Sequence, residues 1–144
     1  MIILSKKTLY FDHSNKFLTL SLTAEERTRT RRPCLADNGE ELYLQLSRGI
    51  VLEQNDILTT QNEEVFVKIL ARSEKILRVT THSQLNFLRA IYHLANRHIP
   101  LEINLDNLAL ENDPVLKELL IQMGLDVELQ NAPFFPEHGA YHQH

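Results

Sequence analysis

The strongest constraint on this chain is a change of apolar period near its midpoint. Through residue 72 the apolar residues come in short runs, several of them alternating with polar ones, as in Phe17-Leu18-Thr19-Leu20-Ser21-Leu22 and Leu42-Tyr43-Leu44-Gln45-Leu46. A third run, Val65 to Leu70, closes this half. A two-residue period belongs to half-buried strands. Asp37-Asn38-Gly39 is a hairpin signal, and Ser47-Arg48-Gly49 and Asn55-Asp56 are further turns. Short strands at this spacing predict a small sheet sandwich or barrel.

Beyond a polar turn expected at Ser73-Glu74-Lys75, the pattern changes. Ile76 to Thr80 reads as a strand. Thr81 and Gln84 stand at capping-box spacing, and Leu85, Leu88, Ile91, Tyr92 and Ala95 follow three and four apart on one helix face. Pro100 disfavours helical backbone at Ile99, so this helix should stop near Asn96. Two short strands, Leu101 to Asn104 and Leu108 to Leu110, precede a second helix. That helix opens on Asp113-Pro114, buries Val115, Leu116, Leu119, Leu120 and Met123, and stops at Gly124. Leu125 to Leu129 alternates as a last strand. The order strand, helix, strand, strand, helix, strand predicts a ferredoxin-like unit. The chain is thus expected to be α+β: a β-rich domain over residues 1–73, a ferredoxin-like domain over 74–131 and a flexible tail over 132–144.

Charge and composition exclude several partners. A net charge of −4 lacks the cationic excess that phosphate binding needs, which argues against nucleic acid. No apolar run is long enough to span a bilayer. The charges of the first segment follow its apolar residues, the wrong order for a signal peptide, and the single cysteine, Cys34, allows no internal disulfide. A cytoplasmic location is therefore expected. No phosphate loop, GxSxG elbow or HExxH motif occurs, so no enzyme is expected.

Six of the seven histidines lie in the second half: His82, His93, His98, His138, His142 and His144. His93 and His98 are five apart and make no ready chelating pair on a helix. His93 reads as a surface or partly buried helix residue. His98 falls at the helix end, where unpaired carbonyls favour a cation; by itself it is better read as a C-terminal cap. A transition-metal site takes about four donors. Two sources could add them: a two-fold dimer that doubles His98, and the His142/His144 pair of the tail. Of the cluster Arg27, Arg29, Arg31 and Arg32, the first three would share one face of a strand, either as a docking surface for an acidic partner or simply neutralised by Glu25 and Glu26.

At this point the residues show a family likeness. Tyr92-His93-Leu94-Ala95-Asn96-Arg97-His98-Ile99-Pro100-Leu101-Glu102-Ile103 resembles the signature of the UreE-type urease accessory proteins, which are nickel metallochaperones. Glu25-Glu26-Arg27 with Arg29 and Arg31 resembles that family's early strand, and Gly139-Ala140-Tyr141 its closing segment. The likeness implies a homodimer binding Ni2+ through His98 at the subunit interface, with His142 and His144 as added ligands and Zn2+ or Cu2+ as substitutes in vitro. It also implies transfer of nickel to urease through the urease accessory GTPase and the maturation complex. The family's glycine is Ala95 here; alanine strains a positive backbone angle, so the helix is expected to run further. A metal-free adaptor module is the alternative reading.

Overall fold

The computed structural model describes residues 1–12 and 14–139. The chain divides into two compact units, Met1–Arg72 and Ser73–His144. The first contains β1 (Ile2–Leu4), β2 (Lys6–Thr8), β3 (Lys16–Leu22), β4 (Arg31–Leu35), β5 (Glu41–Gln45), β6 (Ile57–Thr59) and β7 (Val65–Ala71). One sheet has the order β1-β5-β4 and the other β2-β6-β7-β3. Leu4, Leu42 and Leu44 of the first sheet share one buried core with Leu18, Leu20, Leu22, Leu58, Val67 and Ile69 of the second. Two sheets closed over one apolar layer form a sandwich. The β4–β5 hairpin turns at Gly39, whose φ is 91°. Asp37 does more than turn the chain. Its carboxylate accepts from the Thr19 hydroxyl at 2.7 Å, the Ser21 hydroxyl at 2.9 Å and the Ser21 N–H at 3.0 Å, tying the hairpin to the polar face of β3. Burial works to raise the Asp37 pKa, but these bonds outweigh it and hold the carboxyl below its ordinary range.

The arginine run is not the strand face expected. Glu26–Thr28 is a single 3-10 turn, Arg27 is buried, and the strand starts only at Arg31. The cause is a Thr-x-x-Glu capping box. The Thr23 N–H donates to Glu26 Oε1 at 2.9 Å, and the Glu26 N–H donates to Thr23 Oγ1 at 3.3 Å. Arg29 pairs with Glu25 at 2.7 Å and Arg32 with Glu26 at 3.6 Å, so these acidic neighbours do neutralise part of the run.

The second unit runs β8 (Ser73–Thr80), α1 (Gln84–Asn96), β9 (Glu102–Ile103), β10 (Leu108–Glu111), α2 (Pro114–Gln122) and β11 (Asp126–Pro133). Its strand order is β11-β8-β10-β9, with every neighbouring pair antiparallel. This is the ferredoxin-like arrangement. The expected polar turn at Ser73-Glu74-Lys75 is instead the start of β8, paired with Pro133, Ala132 and Asn131. Its polar side chains hid a strand that exists because β11 is there to pair with it.

The α1 cap is Ser83, whose Oγ accepts from the Asn86 N–H at 3.2 Å; Thr81 instead accepts from the Ser83 N–H at 3.1 Å. The buried stripe of α1 also differs from the one expected. Ala90 and Leu94 are buried, with Phe87 and Ile91 beside them, whereas Leu88 is 54% and Tyr92 65% exposed. Both stripes have helical spacing, and only the sheet selects between them. α2 follows the sequence closely: Asp113 Oδ1 accepts from the Val115 and Leu116 N–H groups at 2.9 and 3.1 Å, and Pro114 opens the helix. Leu116 and Leu120 are buried, although Val115 is exposed.

Gly124 ends α2 at φ 87°, with its N–H donating to the Ile121 carbonyl at 3.0 Å and the Leu125 N–H to the Leu120 carbonyl at 3.1 Å. This is a Schellman ending, which needs a left-handed residue. A Cβ at Gly124 would meet nothing nearer than Asn86 Nδ2 at 3.7 Å, so only the backbone conformation resists substitution. Gly124→Ala is expected to cost about 1 kcal/mol, read as a fall of several degrees in thermal midpoint.

Candidate metal centre

His98 owes its position to the way α1 ends. The His98 N–H donates to the Ala95 carbonyl at 2.9 Å and the Ile99 N–H to the Leu94 carbonyl at 3.1 Å. Ile99 packs on the same core as Leu94, the apolar contact that accompanies this ending. The residue in the left-handed place is His98 itself, at φ 59°. The two helices of this unit therefore close with the same pair of bonds, one on a glycine and one on a histidine. A branched-backbone cost of about 1 kcal/mol attends any side-chain-bearing residue there. Ala95, where the family likeness raised the question of strain, lies inside α1, so the helix does run past it.

The His98 side chain is exposed. His93 is exposed too, its ring edge-on to Tyr92 at 5.4 Å between centroids. His142 and His144 lie outside the described residues. Among the described residues no three of His, Cys, Asp and Glu gather closely enough to hold a metal ion. An ion at His98 would need donors beyond them.

The segment after β11 returns to the chain just beyond the His98 turn. The Phe135 N–H donates to Glu102 Oε1 at 3.0 Å, and the Glu137 N–H to the Leu101 carbonyl at 2.7 Å. β11 and β9 are opposite edges of the sheet. The chain thus leaves one edge, crosses the face opposite the helices and is bonded at the other edge, three residues from His98. Phe134, where the crossing begins, is fully buried.

A polar network underlies this crossing. In the sheet register Glu128, Arg78, Ala109 and Glu102 form one row across all four strands. The small Ala109 between Arg78 and Glu102 lets the long guanidinium reach over β10. Arg78 Nη1 donates to Glu102 Oε2 at 2.7 Å and to Asn107 Oδ1 at 3.0 Å, and its Nε donates to Gln130 Oε1 at 3.2 Å. Asn104 Nδ2 adds a bond to Glu102 Oε2 at 3.0 Å. Burial works to raise the Glu102 pKa. The bonds from Arg78, Asn104 and the Phe135 N–H, with the Arg78 charge, outweigh burial and keep the carboxyl below its ordinary range. Sequence reading passed over Glu102, because only the strand register brings its partners together.

Fold and site together define a class: a two-unit α+β protein whose ferredoxin-like half displays one imidazole at a strained helix end. Comparison with known proteins narrows it. Residues 5–72 match the UreE urease accessory protein, N-terminal domain, and residues 74–144 match the UreE urease accessory protein, C-terminal domain. The chain belongs to the UreE urease accessory protein family, a family of accessory proteins and not of enzymes. It is 51% identical over 127 residues to the urease accessory protein UreE of Thermosynechococcus vestitus, covering 88% of each chain. It is 44% identical over 126 residues to that of Nostoc punctiforme, covering 88% of this chain and 85% of the relative. The Microcystis aeruginosa protein of the same name is 45% identical over 127 residues, covering 88% and 80%. Among the described residues no helix is long and apolar enough to cross a membrane.

Proposed function

We propose that the chain is a cytoplasmic nickel metallochaperone for urease maturation, working as a homodimer in which two His98 imidazoles share one Ni2+ ion. The observation that carries this reading is His98 in a left-handed helix ending that its own companion helix gives to glycine. Backbone strain kept at an exposed side chain points to a task for that side chain. Family membership supports the urease context. The exposed stripe Leu85, Leu88, Tyr92 and Ala95 supports the dimer: its spacing of three, four and three is that of a helix seam that packs on a copy of itself.

In this reading His142 and His144 complete the ligand set. Chain length permits it. Leu101 lies within about 11 Å of His98 along the backbone, and the stretch from 137 to 142 spans up to about 17 Å. A donor that arrives on a short tether can also leave, which suits delivery. Nickel is cargo here, passed on through the urease accessory GTPase and the maturation complex. Imidazole serves nickel, copper and zinc alike, so selection rests on supply and docking. Protons compete for the same nitrogens, so affinity falls as pH falls.

Calorimetric titration of the metal-free protein with Ni2+ tests this. The expected result is one tight site per two chains. In a His142→Ala/His144→Ala variant that site should weaken tenfold or more, about 1.4 kcal/mol, yet persist. A wild-type protein that takes up no nickel would overturn the reading in favour of a metal-free adaptor.

A further inference from the structure

We propose that Glu102 is a positioning residue for the C-terminal tail, holding the chain at the His98 edge of the sheet so that the tail's imidazoles arrive near the helix end. The inference rests on the reading of the tail as a ligand donor. It is carried by geometry. Glu102 is only 8% exposed, and its two carboxylate oxygens face different ways. Oε2 takes the bonds from Arg78 and Asn104, which anchor the side chain to the sheet. Oε1 takes the Phe135 N–H, a bond that holds the segment just after β11. Two residues on, the Glu137 N–H donates to the carbonyl of Leu101, the residue just before β9. A carboxylate fixed by an arginine across a strand and turned toward a crossing backbone is a clamp. Without it the segment loses its bond to the Glu102 side chain, and the bond from the Glu137 N–H to the Leu101 carbonyl holds a less constrained chain.

The test is a cycle of four full-length proteins titrated with Ni2+ by calorimetry: wild type, Glu102→Ala, His142→Ala/His144→Ala, and the two combined. Glu102→Ala should weaken the tight site about as much as the tail variant does, and should cause no further loss once the tail histidines are gone. Equal losses in both backgrounds would mean that Glu102 acts on the fold at large, and the proposal would be wrong. No loss from the tail variant alone would remove the ligand reading itself, a separate failure visible in a separate arm. Because Glu102→Ala leaves the half-buried Arg78 without its carboxylate partner, Phe135→Pro supplies a second route. It deletes the clamped N–H together with the ring and leaves the Arg78–Glu102 pair intact, and it should give the same tail-dependent loss, while Phe135→Ala, which keeps the N–H, controls for the ring and should not. Hydrogen exchange of metal-free protein adds an independent readout. The Glu137 amide should exchange at least tenfold faster in both variants, while the amides of α1 keep their protection. Unchanged exchange at Glu137 would overturn the clamp.

Discussion

Replacing His98 by glycine is expected to raise the stability of the metal-free protein while abolishing its tight nickel site. The two effects have separate causes. Glycine occupies the left-handed region freely, as Gly124 does at the end of α2. Removing the histidine should therefore release about 1 kcal/mol, which in a domain of this size lifts the thermal midpoint by roughly 4 °C. In the proposed two-fold site the same change would delete both imidazoles, so nickel affinity should fall by more than about 100-fold, or 2.8 kcal/mol. Calorimetric melting in the presence of a chelator reads the first effect and nickel titration the second. His98→Ala serves as the control, losing the metal without gaining the stability. A His98→Gly protein that still binds nickel tightly would refute the assignment, and one that melts lower would refute the strain.

The second large effect concerns a residue that need not touch the metal at all. Leu88→Asp should convert the protein to a monomer and remove the tight site with His98 intact. Leu88 is 54% exposed at the middle of the α1 stripe, so an aspartate there is harmless to the folded unit. In a seam between two copies it would bury a carboxylate against Leu85 and Tyr92, a cost of several kcal/mol per charge. Because two-fold symmetry repeats the change, the cost counts twice. Light scattering should give the mass of one chain, and titration should show only weak binding. A variant that stays dimeric and binds nickel as before would dissociate this stripe from the interface.

How much of this was legible in the sequence depended on whether the signal was local. Both ends of α2 were, because Asp113-Pro114 and Gly124 act through bonds to residues a few positions away. The order of strands and helices in the second unit followed from period alone. What failed needed tertiary information. Two apolar stripes on α1 had equal claims to the core, and only packing on the sheet chose Ala90 and Leu94 over Leu88 and Tyr92. Ser73 to Lys75 is a strand through its pairing with residues 131–133. The parallel pairings of β1 with β5 and β3 with β7 join segments far apart in sequence. The Thr23 and Glu26 box, by contrast, was readable and was overlooked beneath the arginines that follow it. Of the site, His98 was marked for its place at a helix end. That its backbone is left-handed was not visible, because histidine carries no glycine-like flag.

The free rim of β11 has a bearing on how copies of this protein avoid one another. Among the described residues this eight-residue strand pairs on one side only, with β8. An open rim of that length is a template for unwanted strand addition and aggregation. Asp126 and Glu128 are both exposed along it, and Pro133 ends it with a residue that lacks a donor. Parallel, in-register addition of a second copy would set these like charges side by side, which disfavours that match. A charged rim that closes on proline is a poor template for a second copy of the strand.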